Sequence, residues 1–355
     1  MRLLWVSLRD FRNHRETELE VPGGIVALVG PNAQGKTNAL EAVHYLVSLS
    51  SPRTSSDQPL IREGAASAFL RGEVETEGGK VLVEVEIRPS GANRVQVNRS
   101  PVRRKRDVRS RVRSVLFLPE DLAIVQGDPD ERRRFMDESV VSLWPPRDAE
   151  RRSYDRALRQ RNRLFKEGEG LPASLEAWDE ELIAHGVAVT AGRRDAVARI
   201  AGRAGDAYEA ISGDRLVIRY RPSIEGDDLE ASFREGLAAR RQDELVRRTT
   251  LVGPHRDELE LAVGERTARR FASHGESWAA AICLRLGLAR ALEAEIGEPP
   301  LLLLDDPFSG VDPQRRRRLT AELERGGQTL LAIPDDVQVP ASATVWRVSG
   351  GTVGA

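Results

Sequence analysis

The chain has 355 residues, enough for roughly two or three domains and a sizeable core. Lys plus Arg number 54 and Asp plus Glu 55, a net charge of −1, so no global basicity marks a nucleic-acid protein and any such surface has to be local. One cysteine, Cys283, excludes an internal disulfide and suits a reducing cytoplasm, and no apolar run approaches the ~18 residues of a membrane span.

The first residues read as strands. Leu3–Leu8 is apolar and Thr17–Val21 alternates, with the polar stretch Arg9–His14 around Phe11 between them. With Arg2, Arg9 and Asp10 in this stretch, it is not expected to be a signal-peptide apolar region. Pro22-Gly23-Gly24 turns into a short apolar strand over Gly24–Val29. Gly30-Pro31-Asn32-Ala33-Gln34-Gly35-Lys36-Thr37 follows, and it fits G-x-x-x-x-G-K-[ST]. Leu40, Val43, Leu46 and Val47 then recur at helical spacing, so a helix starts near Lys36. Strand, glycine-rich turn and helix are what a phosphate cradle needs: backbone N–H groups point inward and the helix N-terminus adds positive potential. Lys36 reaches the β- and γ-phosphates of ATP in such a loop, and Thr37 holds Mg²⁺. In a chain that otherwise uses arginine almost throughout, a lysine at this position is telling, because a planar guanidinium does not replace a compact ammonium.

Ser50–Ser56 is a loop. Ala68–Val74 and Val81–Ile87 alternate as a hairpin around Gly78-Gly79, and Arg94–Asn98 adds a third run. Arg103–Arg113 is the densest basic stretch, either a phosphate-contacting edge through residues such as Arg104 and Arg106 or a solvated face. Val115–Leu118 reads as a buried strand ended by Pro119. From about residue 121 to 246 the pattern turns helical, over Asp130–Trp144, Arg147–Phe165, Leu175–Ser212 and Leu229–Arg240, with a strand at Leu216–Tyr220. The arginines at 147, 151, 152, 156, 159, 161 and 163 form a second basic strip, with Arg152 and Arg156 as its candidate DNA contacts; local acids could equally pair with it. Thr249–Val263 returns to a strand pattern. The five histidines show no metal-ligand spacing, so Mg²⁺ with nucleotide is the only metal implied.

Ser273 stands before an amphipathic helix, with Glu276 three residues on as a capping box; the alternative is a phosphate-seeking helix N-terminus. Leu301–Leu304 is a buried strand ending in Asp305-Asp306. Four aliphatics ending in an acid are the Mg²⁺-binding partner of a phosphate loop. Asp305 is assigned to Mg²⁺ and Asp306 to the attacking water. Thr329–Ile333 and Val345–Val348 are expected to close the sheet. Loop and acidic strand lie about 270 residues apart, so one α/β core is split by an insertion. With a serine–glycine motif ahead of the acidic strand, this is the layout of ABC-type ATPases, which sandwich ATP between two subunits.

Several motifs are more particular: Asp10-Phe11-Arg12-Asn13, Lys36-Thr37-Asn38-Ala39-Leu40-Glu41-Ala42, Ser51–Ser55, Pro119-Glu120-Asp121-Leu122, Glu131–Asp137 and Gly253-Pro254-His255-Arg256-Asp257. On these, over nearly its full length, the chain resembles the RecF family of bacterial recombination-mediator ATPases, relatives of SMC heads. The resemblance implies an α/β ABC/SMC-like P-loop ATPase head, a mixed sheet with an antiparallel β flank, over residues 1–120 and 247–355, and an inserted helical lobe at 121–246. It implies weak ATP hydrolysis, an ATP-driven homodimer, binding to duplex DNA and single/double-strand junctions, and partnership with RecR and RecO in loading RecA. Ser273, Gly275 and Glu276 match the signature motif, with His274 departing from it, and Gln126 is similar to the glutamine that contacts Mg²⁺ and water. Ala33 replaces a frequent loop glycine. Pro334 and Asp335 stand where related ATPases carry a histidine, which implies slow hydrolysis. A transporter's nucleotide-binding subunit would be shorter and lack the insertion, and a structural SMC-like clamp would carry heptad arms that this sequence lacks.

Overall fold

The computed structural model describes residues 1–167 and 171–354, with side chains at all of these except 171–174. Its strands are β1 (Arg2–Phe11), β2 (His14–Glu20), β3 (Ile25–Val29), β4 (Ala68–Thr76), β5 (Gly79–Ile87), β6 (Arg94–Val97), β7 (Ser100–Pro101), β8 (Ser114–Phe117), β9 (Leu216–Arg221), β10 (Glu258–Val263), β11 (Arg266–Thr267), β12 (Leu301–Asp305), β13 (Thr329–Ile333), β14 (Thr344–Ser349) and β15 (Thr352–Gly354). Its helices are α1 (Lys36–Ser48), α2 (Lys105–Arg109), α3 (Leu122–Gln126), α4 (Pro129–Leu143), α5 (Asp148–Glu167), α6 (Leu171–Ser212), α7 (Leu229–Arg247), α8 (Ala268–Phe271), α9 (His274–Ile296) and α10 (Pro313–Glu324).

The central sheet has the order β15-β14-β3-β13-β12-β8, parallel from β14 to β8. Both faces are covered over β3, β13, β12 and β8, which is why these strands are buried throughout and mostly apolar. Ile25, Ala27 and Val29 pack with residues of α4, α6 and α9, whereas Val26 and Leu28 pack with α1 and the second sheet. The same alternation divides Leu302 and Leu304 from Leu301 and Leu303. Each such leucine contributes roughly 1.5–3 kcal/mol of burial. The second sheet, β2-β1-β4-β5-β6-β7, is antiparallel throughout and forms the expected flank.

The helical segment is not set apart from this core. α6 and α4 supply Ala196, Ile200, Ala204, Phe135 and Met136 to the cluster beneath β3. α9 lies against α6 closely enough that a Cβ on Gly287 would stand 2.7 Å from that of Ala204. A smaller cluster, with Tyr154, Leu182, Ile183, Phe233 and Leu237, is the segment's own. The three-stranded sheet pairs β9 with β10 across residue 246, and the first cluster draws residues from both sides of 120/121 and 246/247.

Two local expectations are corrected. Thr249–Val263 is extended only from Glu258; Pro254–Arg256 forms a 3₁₀ turn after Gly253 at φ 132°, because proline has no N–H for a ladder. Thr329–Ile333 does not close the sheet but lies inside it, between β3 and β12, and the outer strands are β8 and β15.

Candidate nucleotide site

Parallel pairing brings the C-terminal ends of β3, β12 and β13 to one edge, with Val29 opposite Ile333 and Asp305 opposite Ala332. Ligand crevices of α/β sheets open at this edge. Gly30–Thr37 leaves β3 there and enters α1. Gly35 takes φ 115°, and a Cβ would stand 2.9 Å from the Asn13 amide. Ala33 also takes a left-handed conformation, φ 63°, which costs a non-glycine residue about 1–2 kcal/mol. The loop is braced from both sides. Asn13 Nδ2 donates to Gln34 O at 3.1 Å, and Asn38 Nδ2 to Asn13 Oδ1 at 2.8 Å. Gly350 N donates to Gln34 Oε1 at 2.7 Å and Gly351 N to Gln34 O at 2.9 Å. Pro31, Asn32 and Ala33 remain exposed.

Lys36 is buried, and its Nζ donates to the carbonyls of Gly30 at 2.5 Å and Pro31 at 2.8 Å. Burial lowers its pKa, while Asp305 and Asp306 hold it up. Thr37 Oγ1 donates to Asp305 Oδ2 at 2.7 Å. Burial pushes the Asp305 carboxyl up to about 6; the charges of Asp306 and Glu120 add to this, and the Thr37 bond and Lys36 oppose it. A carboxylate that burial disfavours, beside a hydroxyl, gains from a divalent cation, and both are the hard oxygen donors that Mg²⁺ takes. The pair therefore fits the metal. Among the described residues no three His, Cys, Asp or Glu side chains converge as a cage, and Mg²⁺ at such sites draws its other ligands from water and phosphate. Asp306 sits at φ 47°, with its N–H on Ala332 O at 2.8 Å. Its Oδ1 is buried without a hydrogen-bond partner, and burial raises its pKa. An unsatisfied acceptor beside Lys36 and Asp305 is suited to orient a water.

Ser273 caps α9. Its Oγ accepts Glu276 N at 3.3 Å, and Glu276 Oε2 accepts Ser273 N at 2.7 Å. These bonds hold the Glu276 carboxyl below its usual range. Ser273 and His274 are exposed, and a Cβ on Gly275 would stand 3.4 Å from the Gly310 carbonyl. No hydrogen bond joins Ser273, Gly275 or Glu276 to residues 30–37 among the described residues. Gln126 is exposed, and its amide donates to Ser277 Oγ at 3.1 Å, on the α9 side and not to Thr37 or Asp305. The fold thus assembles Lys36, Thr37, Asp305 and Asp306, and leaves Ser273, the cap of α9, and Gln126, the last residue of α3, bonded elsewhere.

The profile of the RecF/RecN/SMC N terminal domain family matches residues 3–334. The chain is 43% identical to the DNA replication and repair protein RecF of Streptomyces avermitilis over 99% of both chains, and 41% identical to that of Kineococcus radiotolerans over 95% of this chain and 94% of the other. The chain belongs to the RecF family. Two solved structures, of the recombination mediator protein RecF-ATPrS and of RecF-ATP in the RecFOR pathway, superpose with TM-scores of 0.89 and 0.90 at 27% and 26% identity, each covering 99% of this chain and 97% of the other. An Smc head domain derived from Pyrococcus furiosus shares the fold, with a TM-score of 0.58 at 14% identity, over 99% of this chain and 95% of the other.

In this RecF-family chain a further residue supports the loop. Glu41 of α1 is fully buried and accepts a bidentate pair of bonds from Arg12, from Nε at 3.0 Å and Nη2 at 2.8 Å. It also accepts from Arg53 at 3.1 Å and Ser51 at 2.5 Å. Arg53 in turn donates to Asn38 at 2.9 Å. The sequence gives Glu41 no role beyond its place in the Lys36–Ala42 motif; a charged residue amid Leu40, Ala42 and Val43, on a face that has to be buried, is the local signal of its support. The two basic strips also resolve. Arg104 and Arg106 are exposed on and beside α2, and Arg152 and Arg156 on α5. The α5 end of the second strip adjoins the first, since the Arg152 charge helps lower the pKa of both Lys105 and Arg109. Arg161 leaves the strip: it is fully buried on Asp179, Glu244 and Thr250. Arg147, Arg151, Arg152 and Arg163 pair with acids, whereas Arg156 and Arg159 have no carboxylate within 4 Å among the described residues.

Proposed function

We propose that the chain is an ATP-switched DNA-binding protein of recombinational repair and replication restart, in which two copies close over nucleotide and the closed pair engages DNA. One observation carries the reading. The Ser273–Glu276 helix cap is exposed and formed, yet bonded to nothing in its own phosphate loop. A second copy is what could bring such a cap to an ATP held by Lys36 and Thr37. ATP bound across the pair favours the dimer by its differential affinity. Lys36 would exchange the Gly30 and Pro31 carbonyls for the β- and γ-phosphates. Thr37 and Asp305 would hold Mg²⁺, which supplies charge neutralisation at the phosphates. Asp306 would orient the water, with Gln126 nearer the cap than the metal pair. Asp335, exposed at the end of β13, raises the Asp306 pKa by its charge, and a negative group there, in place of histidine, favours slow turnover.

DNA would meet the joined edge of Arg104, Arg106, Arg152 and Arg156, at duplexes and single/double-strand junctions, mainly through phosphates. The relatives' names support repair and replication, and the RecFOR setting of the solved relatives supports RecO and RecR as partners, with RecA loading as the outcome in the cytoplasm. The test is light scattering with and without ATP and Mg²⁺. Ser273→Arg is expected to bind ATP as a monomer and fail to dimerise, and Asp306→Asn to accumulate dimers. ATP-driven dimerisation of Ser273→Arg at the native affinity would defeat the reading.

A further inference from the structure

Outside the nucleotide site, a cleft of about 1060 Å³ lies between the end of α1 with the Ser50–Thr54 loop on one side and α4 and α5 on the other. Its lining is rich in arginine, and almost every one of these side chains has a carboxylate partner. Arg133 and Arg134 pair with Asp130 and Glu131, Arg193 with Asp137, and Arg285 with Asp121 and Glu138. Arg109 and Arg113 are the exceptions: among the described residues, neither has a carboxylate within 4 Å. Arg113 is 7% exposed, and its guanidinium donates only to the carbonyls of Ser142 and Val112, at 3.0 and 3.4 Å. Arg109 Nε donates to Ser48 O at 2.7 Å and its Nη2 to Ser50 Oγ at 3.2 Å. Thr54 also lines the cleft, and its hydroxyl is buried without a partner. Burial pushes the Arg113 pKa down to about 10, with the Arg109 charge adding to it.

A buried cation with no carboxylate partner is costly, and a native fold that keeps Arg113 so, beside a half-buried Arg109 that the Asp148 and Glu138 charges favour only from beyond 4 Å, retains the pair in an open cleft for an anion. We propose that Arg109 and Arg113, with the hydroxyls of Ser50 and Thr54, form a second anion site in this cleft, one that takes a phosphate group and is separate from the Lys36 loop. A phosphate suits the wall better than a carboxylate: its tetrahedral oxygens can accept from two guanidinium groups and a hydroxyl at once, whereas a planar carboxylate is satisfied by one arginine fork. The site stands independently of the dimer reading, because all of its groups belong to one chain.

The test uses the full chain carrying Lys36→Met, which removes the nucleotide loop's own phosphate affinity. Thermal unfolding is followed against inorganic phosphate, with chloride at matched ionic strength and with citrate. Phosphate is expected to raise the midpoint saturably, and Arg113→Gln in the same background to weaken the apparent affinity about tenfold or more. Thr54→Val, a change of shape by almost nothing, gives a second reading that does not depend on the fold tolerating a change at Arg113, and is expected to weaken it severalfold. Two arms identify the source. Phosphate that competes with duplex DNA supports a nucleic-acid phosphate in the cleft; phosphate that binds without displacing duplex supports a free or small-molecule phosphate. A midpoint that follows ionic strength alone, a phosphate response unchanged by both Arg113→Gln and Thr54→Val, or citrate acting as well as phosphate would overturn the assignment.

Discussion

Replacing Glu41 by Gln tests how far the phosphate loop depends on its buried support. The carboxylate is wholly buried, and the Arg12 and Arg53 side chains that it binds are 16% and 32% exposed. Glutamine keeps the shape, removes the charge, and turns one acceptor into an amide donor facing a guanidinium. Removing one partner of a buried pair costs about 3–5 kcal/mol. Both arginines reach the surface in part and recover some hydration, so the expected loss here is roughly 2–3 kcal/mol. At about 2.1 cal/mol/K per residue, a chain of this length unfolding as one unit would melt about 3–4 °C lower. The effect should also reach the ligand. Arg53 holds Asn38, Asn38 holds Asn13, and Asn13 holds the Gln34 carbonyl of the loop. ATP affinity is therefore expected to fall severalfold in Glu41→Gln, and Arg53→Met to add little on top of it, since the two residues act as one unit. Differential scanning calorimetry and equilibrium ATP titration read the two effects. A variant that melts within about 1 °C of the parent and binds ATP equally well would refute the argument, since a loss of about 2–3 kcal/mol leaves no room for either.

His44 is buried and neutral, its pKa driven to about 3 by burial and then by Arg285 and Arg109. A base whose folded pKa lies below its unfolded value of about 6.5 stabilises the fold above that value and loses this as pH falls. His44→Gln should therefore flatten the loss of stability between about pH 6 and pH 4 by roughly 1.4 kcal/mol per pH unit; an unchanged slope in urea titrations would contradict the burial argument. Asp335→Asn removes a charge that faces Asp306, and is expected to raise steady-state ATP turnover without weakening ATP binding; lower turnover would show that the aspartate assists the chemistry. Because the two basic strips adjoin, Arg104→Glu/Arg106→Glu and Arg152→Glu/Arg156→Glu should each make the salt dependence of duplex binding shallower, by about 0.9 in log–log slope for every phosphate that is no longer neutralised. If only one pair responds, the surface is a single strip, and if neither does, both are solvated faces.

Much of the geometry of the candidate nucleotide site was legible because its signals are local. A glycine-rich turn between an apolar run and a helical period can be read within about twenty residues, since the chemistry needs that backbone shape wherever the loop occurs. Leu301–Asp305 announces a strand buried on both faces with acids at its end, and Ser273 and Glu276 announce a helix cap by their spacing alone. The central strand position of Thr329–Ile333 was not legible, because strand order depends on which neighbours pair and not on the pattern within one strand.

The sequence by itself determined the phosphate loop, the acidic strand, the capped helix and the α/β class, each written in a short window of residues. Only the tertiary structure decided what each charge is for. Arg156, Arg159 and Arg161 look alike along α5. Yet Arg161 is the one that meets Asp179 of α6 and Glu244 of α7 and disappears into the interior, while its neighbours stay in solvent. Gln126 turns to Ser277, and Thr37 meets an acid 268 residues away. The physical reason is the same in each case. Backbone propensity and hydrophobic period act over a few residues, whereas the fate of a polar group is set by the partner that satisfies it once water is excluded, and that partner comes from wherever the chain returns.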